Sequence, residues 1–209
     1  MEKLNTFTIG EALGYGWKGF WKNIGQLIVV GLAVVGIQLV FAWVGSQVDS
    51  GFLGSVVGFV GSVISIIIVL GWIRAGLAIT RGESIELGSV FTFDGWFRYA
   101  IASILFSLGL AIGLILLVIP GIIFATVFGF YGWLIVDKGA GIGDSFSRSA
   151  EITKGNRWNI FALSIVLLLL NMVGLLLFVV GLVFTAGISL VTVAYVYRII
   201  SGEQPVAID

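Results

Sequence analysis

YAIASILFSLGLAIGLILLVIPGIIFATVFGFYGWLIV, residues 99–136, runs 38 positions without a charged side chain. As one helix it would be about 57 Å long, nearly twice the ~30 Å of hydrocarbon in a bilayer. Ile119-Pro120-Gly121 lies near its middle, and Pro-Gly is a strong turn signal. The economical reading is two membrane-crossing helices joined by a tight hairpin at Pro120 and Gly121. The stretch from Trp158 to Ile200 poses the same problem, with Gly181 as the expected break.

Working outward, the apolar run from Ile24 to Val44 is long enough to cross once. Another begins near Phe52, stays apolar to Ile73, and continues as a helical stem to Thr80. The residues before Ile24 are too mixed in character for a signal peptide or a span. These readings predict a single all-α membrane domain over residues 1–209, with spans at about 24–44, 52–73, 99–119, 121–136, 158–180 and 182–200.

Composition supports lipid as the solvent. The chain is 59% hydrophobic and 11% charged, against about 25% charged residues in a soluble domain. With no Cys and no His, disulfides, thiolate chemistry, the usual zinc sites and histidine acid–base catalysis are excluded.

Charge placement orients the bundle. Lys3, Lys18 and Lys22 precede the first span; Arg74, Arg81 and Arg98 flank the second loop. Lys138, Arg148, Lys154 and Arg157 lie in the fourth loop, and Arg198 closes the last span. The first, third and fifth loops hold no basic residue. Six spans with both termini cytoplasmic place all eleven cations on one side, as the positive-inside rule requires.

The cytoplasmic stretches resemble one another: IGEALGYGWKGFWKNIG from Ile9, LGSVFTFDGWFRYAIA from Leu87, IGDSFSRSAEITKGNRWNIF from Ile142. Each starts with an apolar residue and Gly, ends in Trp beside a basic residue, and precedes two apolar runs. A unit of interfacial helix plus hairpin, used three times, is expected, with interfacial helices at about 8–22, 86–97 and 142–154. Arg81-Gly82-Glu83 and Ser201-Gly202-Glu203 also close two hairpins alike. In the first copy Ile9, Leu13, Trp17, Phe20 and Ile24 recur at helical spacing opposite Glu11, Tyr15, Lys18 and Lys22; Thr8 and Glu11 fit a capping box. Such a helix rests either on lipid or on the protein's own spans.

The candidate lipid-headgroup residues are Lys18, Lys22, Arg98, Arg148, Lys154 and Arg157, with Trp17, Trp21, Trp96 and Trp158 as interfacial anchors. They either bind anionic head groups or simply orient the protein. Within the spans, Gln38 and Asn171 stand out as interhelical hydrogen-bond partners or as substrate contacts. No carboxylate lies clearly inside the hydrocarbon, which disfavours an ion-coupled carrier. Asp137, Asp144 and Glu151 are expected to pair with Lys138, Arg148 and Lys154. Gly139–Gly143 and Thr153-Lys154-Gly155 lack the context of phosphate-binding loops and read as a turn and a helix stop. Gly54-x3-Gly58 and Gly109-x3-Gly113 suit close helix crossing. No catalytic residue, metal site or cofactor is expected, nor a nucleic-acid partner.

The run from Ile119 to Leu170, with Pro120, Gly121, Asp137, Ser145, Arg148, Ser149, Thr153, Lys154 and Gly155, carries a resemblance, extended by Ala12, Gly16 and Trp17. It resembles a group of bacterial six-helix membrane proteins that includes the membrane domain fused to glycerophosphoryl diester phosphodiesterases. The resemblance implies a multi-pass protein of the bacterial cytoplasmic (inner) membrane, concerned with lipid or envelope metabolism. The chain ends at Asp209 without a phosphodiesterase domain, so hydrolysis is not expected to carry over. The expectation is a non-enzymatic scaffold or accessory at the inner leaflet, with membrane lipids as partners and a second copy or other membrane proteins as further ones. The alternative is a small transporter or lipid flippase with a polar mid-membrane cavity.

Overall fold

A computed structural model describes residues 6–48, 51–85, 88 and 92–208, the side chains of 178–180 excepted. Among them the chain is all helix, with no strand. A short helix α1 (Ile9–Lys22) leads into α2 (Ile24–Gln47) and α3 (Phe52–Arg81). The second pair is α4 (Trp96–Leu116) and α5 (Val118–Phe128), the latter continued by α6 (Tyr131–Lys138). A short α7 (Ile142–Ile152) precedes α8 (Arg157–Leu176) and α9 (Phe178–Ile200). Six segments are long and apolar enough to cross a membrane, α5 and α6 counting together as one. Their outer faces carry Trp43, Phe52, Phe59, Ile115 and Leu176, each about two-thirds exposed or more. A water-soluble monomer does not sustain so continuous an apolar surface, and lipid removes its cost.

The hairpin turns fall away from the expected residues. The α4–α5 break is at Leu117, whose backbone is extended (φ −170°, ψ 149°), and Pro120 and Gly121 lie in the first turn of α5. Proline belongs there because first-turn amides have no intrahelical acceptor to lose. Gly121 serves packing: a Cβ on Gly113 would lie 2.9 Å from its Cα. Likewise the α8–α9 turn is at Leu177, and Gly181 sits inside α9, its carbonyl oxygen 2.9 Å from where a Gly174 Cβ would be. Both tips are therefore closed by facing glycines.

This contact makes a prediction. Gly113→Val should destabilise the protein by about 1–3 kcal/mol, since backbone rather than a flexible side chain must yield. Gly58→Val should be nearly neutral, because nothing lies within 4 Å of a Cβ there. Unfolding in detergent titrated with SDS would compare the two. Of the expected crossing motifs, Gly109-x3-Gly113 packs on Phe124 and Gly121, whereas Gly58 faces open space.

The most enclosed helix is α9, with Val191, Thr192, Ala194 and Tyr197 fully buried. It packs on α1, α2, α3 and α8. The Thr8–Glu11 capping box forms, and hydrogen bonds from the Thr8 side chain and amide hold the Glu11 carboxyl below its ordinary pKa. The buried face of α1 is Ala12, Gly16, Gly19 and Phe20; of the expected Ile9–Leu13–Trp17–Phe20–Ile24 stripe, Phe20 is buried, Ile9, Leu13 and Ile24 pack at the edge of the core, and Trp17 is exposed. Small residues win because Gly16 abuts Thr192 and Gly19 abuts Val191. Trp17 and Trp21 then face outward, with Lys18 and Lys22 beside them. One face of this helix thus meets the bundle, and the Trp21 ring reaches Phe184 of α9 at a centroid distance of 6.2 Å.

A strap after α9 crosses the same end. Val206 N–H donates to Thr80 O (2.9 Å), and the Tyr15 hydroxyl donates to Val206 O (3.0 Å). Burial pushes the Tyr15 phenol up to about 12. Helices α3 and α9 end alike: Gly82 and Gly202 are left-handed (φ +74° and +81°). Glu83 and Glu203 N–H reach Ala78 O and Arg198 O, both 2.9 Å.

The second interfacial helix, expected at about 86–97, falls in part outside the described residues. Residues 86–87 and 89–91 lie outside the described residues, as do Lys3 and Asp49. Residues 92–95 form a turn ending at left-handed Gly95 (φ +78°), and Trp96 and Phe97 open α4 itself. Arg74 donates to Thr92 O (3.0 Å) and Asp94 O (2.6 Å) and so holds the loop.

Candidate functional site

The cationic ends of α3, α6 and α9 converge on one carboxylate. The Asp137 side chain is fully buried, pairs with Arg81, and accepts from Lys138 Nζ at 3.2 Å and the Tyr197 hydroxyl at 2.8 Å. Lys138 also pairs with Glu203, which pairs with Arg198. Three cations and two carboxylates thus tie the three helices together. The pairing of Asp137 with Lys138 was legible as neighbours in sequence. Arg81 and Tyr197 were missed as its partners, and so were the links from Lys138 to Glu203 and on to Arg198; the matching Gly-Glu helix ends were the signal that brings these groups near.

A second arrangement sits beside it. Helix α5 breaks at Gly129-Phe130, leaving Val127 O without a helical partner. The Ser149 hydroxyl donates to Val127 O (2.9 Å) and accepts from Phe130 N–H (3.2 Å); Thr153 Oγ1 adds a 3.3 Å bond to Val127 O. Ser145, Ser149 and Thr153 are all fully buried, a hydroxyl stripe at four-residue spacing on α7. Ser149 and Thr153 therefore mend a broken helix, while the Ser145 hydroxyl donates to Ile142 O of its own helix (2.7 Å). Gly155 is left-handed (φ +87°) and Gly139 likewise (φ +60°), as a helix stop and a turn require.

The lipid-facing candidates do not form one continuous collar. Trp17, Lys18, Trp21 and Lys22 line a shallow groove on α1, the two indoles 5.6 Å apart and edge to face. Elsewhere Arg157 and Trp158 head a deeper groove between α5 and α8. Arg148 is paired with Asp144 at 2.9 Å, and Arg98 donates to Gly139 O (2.6 Å). Trp96 is only half-exposed, against Phe97. Among the described residues, Lys18, Lys22, Arg98, Lys154 and Arg157 are exposed and join no ion pair, Arg98 and Arg157 each donating to a backbone carbonyl.

Inside the bundle, Asn171 donates to Ser189 Oγ (2.8 Å) and Leu167 O (2.7 Å), joining α8 to α9. Gln38 makes a long contact with Ser65 Oγ (3.5 Å) across α2 and α3. The two serve separate hairpins. Hydroxyls of Ser62, Ser65, Thr126, Ser164, Thr185 and Thr192 each bond a carbonyl of their own helix four residues back. They present no spare donor to a passing solute. Among the described residues, no group of three or more Asp or Glu is placed to hold a metal.

These features define a multi-pass helical membrane protein. The chain belongs to the family described as a domain of unknown function (DUF7847), which it matches over residues 25–201. That span takes in both hairpin glycine contacts, the hydroxyl stripe and Asp137, and begins after α1. No curated protein and no solved structure matches the chain.

Proposed function

We propose that this chain is a non-enzymatic scaffold of the bacterial cytoplasmic membrane, both termini in the cytoplasm, that gathers anionic lipid at the inner leaflet. The carrying observation is the division of labour among its cations. Arg81, Lys138 and Arg198 are consumed by Asp137 and Glu203, while Lys18, Lys22, Lys154 and Arg157 stand exposed, three of them beside exposed indoles. Cations and Trp at one leaflet are the usual means of engaging head groups there. The shared cap after α3 and α9 supports a repeated unit of short helix plus hairpin. The likeness to membrane domains of glycerophosphoryl diester phosphodiesterases supports a setting in lipid or envelope metabolism.

The transporter or flippase reading requires a wet path at mid-membrane. The back-bonded hydroxyls and facing glycines weigh against it. Replacing Lys18, Lys22 and Arg157 together with Gln should lower retention of phosphatidylglycerol over phosphatidylcholine about fivefold, with the wild-type preference shrinking as salt rises. Native mass spectrometry from mixed micelles reads the ratio; an unchanged ratio discards the reading.

A further inference from the structure

Residues of α5 and α8 line a groove of about 470 Å³. Its wall is Ile119, Ile122, Ile123, Thr126 and Phe161, and its cationic end is closed by Arg157 and Trp158. A second recess of about 330 Å³, bounded by α9, shares Ile122, Thr126 and Phe161 with it. Small residues Ala125, Gly129 and Ser164 leave that space open.

The chemistry of the lining is divided end to end. The polar atoms along it are spent: Thr126 Oγ1 donates to Ile122 O and Ser164 Oγ to Ile160 O, both at 2.8 Å. What remains is a hydrocarbon wall. The charge at its mouth is Arg157, and no carboxylate lines the groove. Arg157 Nη2 donates to Ala150 O (3.3 Å), which orients a guanidinium that carries five N–H donors. Trp158 is 83% exposed beside it, at the depth where an indole sits between head group and tail.

We propose that this groove holds one acyl chain of an anionic phospholipid, its phosphate bound by Arg157; the inference rests on the reading of the cationic face as an inner-leaflet lipid surface. In a bilayer the tail gains nothing by leaving its neighbours, because lipid tails are as apolar as the groove wall. Selectivity therefore comes from the charged end, and the groove sets position and number: one lipid per chain.

The full chain in detergent, offered equal phosphatidylglycerol and phosphatidylcholine, is read by native mass spectrometry. Wild type should keep one phosphatidylglycerol with about fivefold preference, the ratio corresponding to the ~1 kcal/mol of one juxtamembrane cation. Arg157→Gln should remove that preference, and Arg157→Lys should retain most of it. Ile123→Trp, filling the groove from its exposed side, should also remove it, with Thr126→Phe as a second filling variant. Lys18→Gln with Lys22→Gln should leave the single bound lipid in place. If both filling variants bind like wild type, the groove is not the site, although surface attraction by the cations stands. If wild type shows no preference for the anionic lipid, the groove and the surface reading fall together.

Discussion

Replacing Asp137 with Leu is expected to lower stability by about 3 kcal/mol. The carboxylate is fully buried and answers Arg81, Lys138 and Tyr197 at once, so its removal strands Arg81 and the Tyr197 hydroxyl, while Lys138 keeps Glu203. Breaking a wholly buried pair costs about 3–5 kcal/mol. The lower end applies because Arg81 and Lys138 keep 35% and 38% of their side-chain surface in contact with the surroundings, and water screens them in part. A midpoint shift in SDS-titrated unfolding measures the loss. Combining Asp137→Leu with Arg81→Leu should recover part of it, since no cation is then left facing a missing partner on α3. Equal destabilisation by the single and double variants would show that Asp137 acts through packing alone.

The pair Ser149→Ala with Thr153→Val should cost about 2–4 kcal/mol. Together they leave Val127 O and Phe130 N–H buried without the hydroxyls that meet them. An abandoned buried backbone group costs about 1–3 kcal/mol, and two are abandoned here. Ser149→Thr should be far milder if its methyl is accommodated, because the hydroxyl survives. Hydrogen exchange at Phe130 provides the local reading: faster exchange in the double variant is expected, and unaltered exchange would mean another acceptor takes over.

The number of spans was legible because run length is compared directly with bilayer thickness. Residues 99–136 cannot be one helix, and they are not. Where each run turns was less legible. Pro120 and Gly181 look like turns to a reader of local propensity, yet Pro120 costs little in a first helical turn and Gly181 is needed flat against Gly174. Those choices depend on a neighbouring helix, which no local window contains. The exposed half of the candidate surface, Lys18, Lys22, Arg157, Trp17, Trp21 and Trp158, could be named from Trp set beside basic residues next to the spans. Arg148 was set apart from them by its expected partner Asp144, whereas Arg98 and Arg157 each meet a backbone carbonyl, Gly139 O and Ala150 O, that no sequence pattern announces. The hydroxyl stripe of α7 was harder still: a Ser/Thr face reads as solvent-facing until the broken helix beside it is known.

The centrality of α9 bears on biogenesis. A ribosome delivers α1, α2 and α3 long before the helix they pack against exists, and the strap that clasps Tyr15 and Thr80 emerges later again. Early segments must therefore wait, inserted but unassembled, with the glycine face of α1 uncovered. Chains stalled before α9 would present that face to the quality-control machinery, so the newest helix decides whether the oldest is kept.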